Sequence, residues 1–315
     1  MNTTLSRIAR PRGEDRPVQR TGYTDSVTRL AAHATAALLL TGVGGQARQP
    51  PTFSSRAVGV RVDALVTEGR KPVAGLTARD FELRDNGVLQ SVDVAIASDV
   101  PLYAVLAFDT SASVQGKRRR DLIDAGDTFL DGLKPVDRAS LLTFSRDVAP
   151  RVAPTADVAV IRQELDRIAP GGATSVMDGV YAALTVALAQ SEPPLVLVCT
   201  DGIDTSSWLD PHEVLEAAKR SNAVIYAVTS ADARQSTSLT DLANATGGQV
   251  LSVKSSAELS TMFRRILQEF RSRYILTYSP TGVRAGGFHA IDIRVKRRGL
   301  AVRARPGYVG LESGS

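Results

Sequence analysis

Hydrophobic and polar positions change their period twice along the chain. Residues 57–98 alternate in steps of two, which is typical of β-strands. Residues 101–273 combine short continuous apolar runs, as expected of strands covered on both faces, with stretches of helical spacing. Residues 274–309 return to the alternation of β-strands. The pattern therefore predicts a central α/β region between two β segments.

The central region predicts a regular succession of strands and helices. Its apolar runs predict strands over Tyr103–Phe108, Ala139–Phe144, Leu195–Cys199, Ala223–Val228 and Gln249–Val253. Helical spacing predicts helices over residues 117–133, 157–168, 175–190, 211–221, 238–245 and 256–272. Strand–helix repetition of this kind predicts an α/β fold with a doubly wound, mostly parallel, Rossmann-like sheet and helices on both faces.

Each β segment is about 40 residues long, a size at which an independent core usually needs cross-links or metals. We therefore predict that residues 57–98 and 274–309 pack into one flanking β domain, with the domain of residues 101–273 inserted between them. Within the first segment, the Asp-Asn-Gly triplet at 85–87 predicts a tight hairpin turn.

The N-terminal stretch has the composition of a targeting signal. An Arg-rich polar start is followed by the apolar residues 31–43 and by small residues at 45–47. This order predicts a secretory signal peptide over residues 1–47, although a polar tail with a short helix is an alternative. We expect export to the periplasm, cell surface or medium, with the cytoplasm as the alternative. No apolar run is long enough to predict a membrane span in the mature chain.

Composition excludes several classes of site. One cysteine among 315 residues rules out a disulfide scaffold and a Cys-rich zinc site, and three scattered histidines disfavour a Ser–His pair. The net charge of +5 divides into +3 over residues 1–47, −6 over 48–263, +9 over 264–305 and −1 over 306–315. An acidic middle argues against nucleic acid as a partner. The basic tail is interpreted as the solvated face of alternating strands, with an anion site as the alternative.

Oxygen-bearing side chains follow the strands at one predicted edge of the sheet. Asp109, Ser111 and Ser113 come directly after the first central strand. Thr174 lies in a Gly-Gly-Ala-Thr loop before a helix, and Asp201 directly follows the third strand. Since ligands of open parallel sheets bind outside the carboxyl ends of the strands, all five side chains are expected at one edge. Oxygen ligands suit a hard cation such as Mg²⁺ or Mn²⁺ rather than zinc.

The order and spacing of these residues resemble a known motif. Asp-x-Ser-x-Ser, then Gly-Gly-x-Thr, then Thr-Asp-Gly is similar to the metal-ion-dependent adhesion site of von Willebrand factor type A domains. The resemblance implies that Ser111, Ser113 and Thr174 ligate Mg²⁺ or Mn²⁺ directly, and that Asp109 and Asp201 act mostly through bound waters. It also implies that the ion captures an acidic residue of a protein partner, in adhesion or assembly, and that the chain is not an enzyme.

This resemblance covers about residues 101–273, and the flanks are similar to exported bacterial "VWFA-related" proteins. The similar stretches are Lys71–Gly87, Tyr274–Pro280 and Arg303–Tyr308. The likeness of the flanks implies no ligand, and it supports only the three-part organisation and export.

Two other functions stay open. An apolar strand that ends in Asp109 is also found in phosphohydrolases of the haloacid-dehalogenase type, but Ser111 stands where that family needs a second Asp. The other alternative is a metal-free structural scaffold. The absence of a Gly-x-x-x-x-Gly-Lys loop argues against a nucleotide hydrolase.

Several residues near the motif have two interpretations. Lys117–Arg120 predicts either a solvated helix turn or a rim that favours acidic partners. Trp208 is either a partner contact or a cover for the adjacent helix. Cys199 is expected to be a buried, inert thiol. Asp178 is expected on a helix surface or behind the ligands, and is left out of the ligand set.

Overall fold

The computed structural model describes residues 59–190, 194–201, 203–231 and 236–310. The predicted leader, residues 1–47, lies outside the described residues. Among the described residues, no helix is both long and apolar enough to cross a membrane.

The first β segment forms short strands, as its alternation predicts. They are β1 (Val60–Glu68), β2 (Lys71–Pro72), β3 (Phe81–Asp85), β4 (Val88–Gln90) and β5 (Asp93–Ile96). Two single 3-10 turns, Ala78–Asp80 and Ala97–Asp99, interrupt them. Asn86 and Gly87 join β3 to β4 with φ angles of 46° and 83°, the left-handed conformation that a type I′ hairpin turn requires.

The central region alternates between strands and helices. Its elements are β6 (Tyr103–Asp109), α1 (Lys117–Asp131), β7 (Arg138–Phe144), β8 (Val148–Thr155), α2 (Val158–Asp166), α3 (Val176–Leu188), β9 (Pro194–Thr200), α4 (Pro211–Arg220), β10 (Val224–Ser230), α5 (Thr237–Ala245), β11 (Gln249–Val253), a 3-10 turn (Ser256–Glu258) and α6 (Leu259–Arg271). The last segment adds β12 (Tyr274–Tyr278), β13 (Gly287–Val295), β14 (Ala301–Arg303) and β15 (Gly307–Gly310).

The central strands form a six-stranded sheet in the order β11-β10-β9-β6-β7-β8. All neighbours are parallel except β7 and β8, so the predicted mostly parallel, doubly wound sheet is confirmed. One hydrophobic cluster packs under α1, α2 and α6, and a second packs under α3, α4 and α5 on the other face. A Cβ on Gly179 of α3 would lie only 2.6 Å from the Phe144 ring, which shows how closely that helix approaches the sheet.

Strand β8 is the central strand that the sequence pattern did not predict. It lies at the edge of the sheet, is only partly buried, and contains Pro150 and Pro154. Proline lacks the N–H that a central strand must donate and is tolerated on edge strands. An edge strand of this kind carries no continuous apolar run.

The two β segments pair with each other, so the predicted flanking β domain is confirmed. β1 runs antiparallel to β12, with Val62 opposite Leu276, and β3 runs antiparallel to β13, with Leu83 opposite Ile293. The resulting sheets follow the orders β14-β1-β12-β5 and β15-β13-β3-β4. Their facing side chains form one hydrophobic cluster.

Two buried arginines fasten the β domain to the central region. Arg273, fully buried after α6, donates to the Asp63 carbonyl at 3.1 Å, to the Tyr226 hydroxyl at 3.1 Å and to the Gly247 carbonyl. Arg305 donates to the Lys219 carbonyl at 2.5 Å at the C-terminal end of α4, where a cation is favoured. These contacts lie where β10 and β11 begin, at the edge of the sheet opposite the predicted metal site.

Candidate functional site

Adjacent strands bring the motif residues to one edge of the central sheet. The chain places β7 on one side of β6 and then returns to place β9 on the other, with Phe108 opposite Cys199. This reversal of winding puts Asp109 and Asp201 at neighbouring strand ends, the usual location of ligands in such sheets. The loop that carries Thr174 contacts the loop that carries Ser111 and Ser113, because the Ala112 amide donates a hydrogen bond to the Gly172 carbonyl at 3.1 Å.

Asp109 is a buried acceptor that orders the first loop. Its side chain is 1% exposed. Its Oδ1 accepts from the Ser111 amide at 2.8 Å, and its Oδ2 accepts from the Thr200 hydroxyl at 2.5 Å. Burial raises the pKa of Asp109 above its ordinary value, although the hydrogen bonds from Thr200 and Ser111 act in the opposite direction. Thr200 precedes Asp201 within the Thr-Asp-Gly motif, and its support of Asp109 was not predicted.

The two serines and Asp201 form a continuous hydrogen-bonded chain. The hydroxyl oxygens of Ser111 and Ser113 are 3.0 Å apart, and Ser113 donates to Asp201 Oδ1 at 2.6 Å. A carboxylate can only accept, so Ser113 gives its one proton to Asp201 and accepts from the Ser111 hydroxyl, which leaves one lone pair of the Ser113 oxygen for a cation. Ser111 is buried, whereas Ser113 is exposed, so the chain runs from the interior to the surface.

Thr174 is fixed by its backbone to the loop that follows Asp201. Its carbonyl accepts from the amides of Thr205 at 2.9 Å and Ser206 at 3.1 Å, and its amide donates to the Thr205 hydroxyl at 3.1 Å. The side chain is buried. The Thr174 loop therefore touches both the serine loop and the loop after β9, which holds the three parts of the motif together.

The basic turn at the start of α1 is not simply solvated. Arg118 donates to Asp201 Oδ2 at 2.5 Å, although about half of its side chain is exposed. Arg119 donates to the carbonyls of Ile168, at 2.7 Å, and Asp166. Only contacts between distant segments distinguish these arginines from solvated ones, and the sequence carries no local signal for them.

Two further carboxylates brace the loop after β9 rather than join the cluster. Asp178, on the first turn of α3, accepts from the amides of Trp208 and Leu209, both at 3.0 Å. Asp204 accepts from the Met177 amide at 2.9 Å and from the Ser207 hydroxyl at 2.6 Å. The Trp208 side chain is 93% exposed, which excludes its interpretation as a helix cover.

A cavity of about 380 Å³ opens beside Asp109 and Asp201, between α1 and the beginning of α6. Lys117, Arg118 and Lys254 contribute positive charge to its walls, and Cys199 contributes to its apolar part. Cys199 is buried as predicted, and burial, followed by the charges of the two aspartates, raises the pKa of its thiol well above the ordinary value, which disfavours the reactive thiolate.

A larger open groove of about 800 Å³ lies between α1, α6 and the β domain, away from the motif. Within the described residues there is no group of three or more His, Cys, Asp or Glu side chains able to hold a metal. The donor set at the strand ends is of another kind, because it combines three hydroxyls with two carboxylates.

Comparisons with known proteins agree with this architecture. The structure of a von Willebrand factor type A protein from Catenulispora acidiphila aligns with a TM-score of 0.51 and 13% identity over 82% of this chain and 74% of that one. Proximal thread matrix protein 1 from the mussel byssus, in a structure with a zinc-occupied MIDAS motif, aligns with a TM-score of 0.50 and 15% identity over 60% of this chain and 50% of that one. No curated protein matches the chain.

The profile of the von Willebrand factor type A domain matches residues 104–265, just over half of the chain. The matched residues run from β6 to α6, so they contain the whole six-stranded sheet except the first residue of β6. The chain therefore belongs to the von Willebrand factor type A domain family.

Proposed function

We propose that the chain is a binding protein that holds Mg²⁺ or Mn²⁺ through Ser111, Ser113 and Thr174, with Asp109 and Asp201 acting through bound waters. The bound cation would supply a positive charge that attracts a carboxylate from a protein partner. One observation carries the proposal: Ser113 directs its proton to Asp201, 2.6 Å away, while its oxygen lies 3.0 Å from the Ser111 oxygen.

The donor set suits a hard cation. Serine and threonine hydroxyls are neutral oxygen ligands, and the carboxylates beside them balance the charge of the cation. The five side chains include no sulfur or imidazole ligand. Asp109 keeps the Ser111 amide and the Thr200 hydroxyl in fixed orientations, so it organises the ligands from behind. The zinc described for the mussel protein makes zinc a third ion to compare.

Binding is favoured over hydrolysis by the state of Asp109. Both of its oxygens accept hydrogen bonds and its side chain is 1% exposed, so it is poorly placed to attack a phosphate. Ser111 occupies the position where the phosphohydrolase alternative needs an acid. A metal-free scaffold would not require a hydrogen-bonded chain of hydroxyls and carboxylates at the carboxyl ends of the strands.

The test is calorimetric titration of the full chain with MgCl₂, MnCl₂ and ZnCl₂, with and without sodium acetate as a carboxylate probe. We expect weak binding of Mg²⁺ or Mn²⁺ alone and tighter binding in acetate, with the reciprocal effect on acetate. Chelation should leave the fold intact, because the sheet core does not depend on the ion. The absence of ion binding would favour the scaffold, and turnover of an aryl phosphate would favour the phosphohydrolase.

We also propose that the chain is exported and that its leader ends near residue 47, with domain limits at residues 57–98, 101–273 and 274–309. The order of Arg-rich, apolar and small residues supports export. The intact mass of the protein isolated from its source tests cleavage. A mass that matches all 315 residues would contradict processing at this position.

A further inference from the structure

We propose that Trp208 is the aromatic anchor of a partner-binding surface beside the metal site, and that it receives an apolar side chain near the acidic residue of the partner. This inference rests on the proposed function and adds to it the second chemical feature that the partner must carry.

The exposure of Trp208 is the first observation. The chain has one tryptophan, and 93% of its side chain is accessible to solvent. Ile203, on the same loop, is 53% exposed. Tryptophan is the side chain with most apolar area to lose from water, and tryptophans in contact surfaces often carry a large share of the binding energy.

Side-chain carboxylates hold the backbone of the loop that presents Trp208. The Trp208 amide donates to both oxygens of Asp178, at 3.1 and 3.0 Å, and the Leu209 amide donates to Asp178 Oδ1 at 3.0 Å. Asp204 Oδ1 accepts from the Ser207 amide at 3.0 Å. A loop that is ordered before binding loses little conformational entropy when a partner binds. Less of the free energy gained by burying the indole is therefore offset.

The same loop is joined to the candidate metal site. The amides of Thr205 and Ser206 donate to the Thr174 carbonyl, and the Ser206 hydroxyl lies 2.8 Å from the Ser175 hydroxyl. The described part of the loop begins at Ile203, two positions after Asp201. The loop that carries the exposed indole is thus bonded to the segment of Thr174, which places this loop next to the site that a partner carboxylate would reach.

The occupant that fits is a protein segment with one acidic residue and a large apolar residue close to it. The acid alone would satisfy the metal but would leave the indole in water. An apolar neighbour would cover the indole and remove apolar area of both partners from water, which stabilises the complex. Two other occupants, the N-terminal segment of this chain and a second copy of the chain, are outcomes of the test.

The experiment uses the full chain in MgCl₂ and dye-labelled, end-blocked peptides followed by fluorescence anisotropy. The reference peptide has one Asp among glycines, and each Gly is replaced in turn by Phe. We expect Phe in at least one position to tighten binding about tenfold. Trp208→Ala should remove this gain without changing the affinity for the reference peptide.

The matched control is Leu188→Ala, which truncates another exposed apolar side chain, 57% accessible, at the far end of α3. This variant should keep the gain from Phe. If no Phe position tightens binding, or if Trp208→Ala keeps the gain, the inference is wrong while the metal site stands. If the reference peptide does not bind in Mg²⁺, the proposed function fails and the inference fails with it.

Iodide quenching of the lone tryptophan separates the other occupants. In the peptide-free full chain, we expect strong quenching that does not change with protein concentration, and protection when a Phe peptide binds. An indole that is shielded at every concentration is covered by the chain itself, and shielding that grows with concentration indicates a second copy. Either result would overturn the proposal of a separate partner.

Discussion

Arg118 Nη1 lies 2.5 Å from Asp201 Oδ2, so a guanidinium pairs with one of the two carboxylates of the candidate metal site. Asp109 and Asp201 carry two negative charges, and Arg118 reduces the sum to one. A divalent cation would then bring the site to a net positive charge, whereas without Arg118 the loaded site would be neutral. The arginine therefore opposes the cation and favours an anionic partner.

Arg118→Gln should tighten Mg²⁺ or Mn²⁺ binding by about two- to fivefold, the effect of an exposed ion pair, and should weaken acetate binding to the loaded site. Calorimetric titration at low ionic strength measures both affinities. Arg120→Gln is the matched control, because it removes the same charge from an exposed position on the same helix turn. Equal effects of the two variants would show that the ion pair with Asp201 has no specific role.

Asp109→Ala should lower the affinity for the cation by about 10- to 100-fold, because the group that orients Ser111 and Thr200 is lost. Partner binding should be lost with it. Asp109→Asn is a second variant that keeps the size of the side chain, in case Asp109→Ala does not fold. Circular dichroism checks that each variant is folded. Asp124→Ala removes an exposed carboxylate from α1 and should change neither affinity. A chelator-sensitive interaction that survives Asp109→Ala would contradict the site assignment.

Thr174→Ala should preserve the fold, because backbone groups of Thr174 hold the loop. It should lower the affinity for the partner more than the affinity for the cation. Water can replace one neutral hydroxyl on Mg²⁺, because this ion keeps several bound waters in proteins. Titration with Mg²⁺ and then with acetate separates the two effects. Thr185→Ala, at an exposed position on α3, is the control. A larger loss for the cation than for acetate would oppose this role for Thr174.

Arg273→Ala should lower the free energy of unfolding by about 2–4 kcal/mol, because the buried carbonyls of Asp63 and Gly247 lose a donor and a cavity opens. Urea denaturation measures the loss. Arg298→Ala changes an exposed arginine of the same basic segment and should cost less than about 0.5 kcal/mol. Similar losses in both variants would mean that the buried contacts between the β domain and the central region add little.

Alkaline pH should weaken the β domain through Tyr308. Burial, with the hydrogen bond to Asp85, raises the pKa of Tyr308 from 10.0 to about 12, and burial also raises the pKa of Tyr278. The fold therefore favours the neutral phenol, so this contribution to stability is complete below pH 10.0 and is lost as pH rises towards about 12. Urea denaturation at stepped pH, with tyrosinate absorbance, measures it.

Tyr308→Phe should reduce the loss of stability above pH 10.0, since one raised pKa is removed. Tyr181→Phe, at an exposed position on α3, should leave the alkaline profile unchanged. A Tyr308→Phe profile identical to that of the parent chain would assign the alkaline loss to other groups.

The sequence was sufficient for the parallel strands and helices of the central region, though not for the edge strand β8, and for the order of the motif residues along the chain. Continuous apolar runs and helical spacing are local properties, so they predicted the parallel strands and the helices between them. Asp109 and Asp201 follow strands directly, and parallel strands share a carboxyl edge, so their proximity followed from topology alone. The Asn86–Gly87 turn was also predictable from the sequence, because Asn and Gly are among the few residues that adopt positive φ readily.

Other features were decided by contacts between segments far apart in the chain. Arg118 and Arg273 look like ordinary basic residues, and only the folded chain distinguishes an arginine paired with Asp201 from one buried under the β domain. The backbone of the exposed Trp208 is held by Asp178, thirty positions earlier in the chain. Local sequence patterns indicate which face of an element is apolar. The hydrogen-bond or ion-pair partner of a polar side chain depends on tertiary packing, because only packing brings distant segments of the chain together.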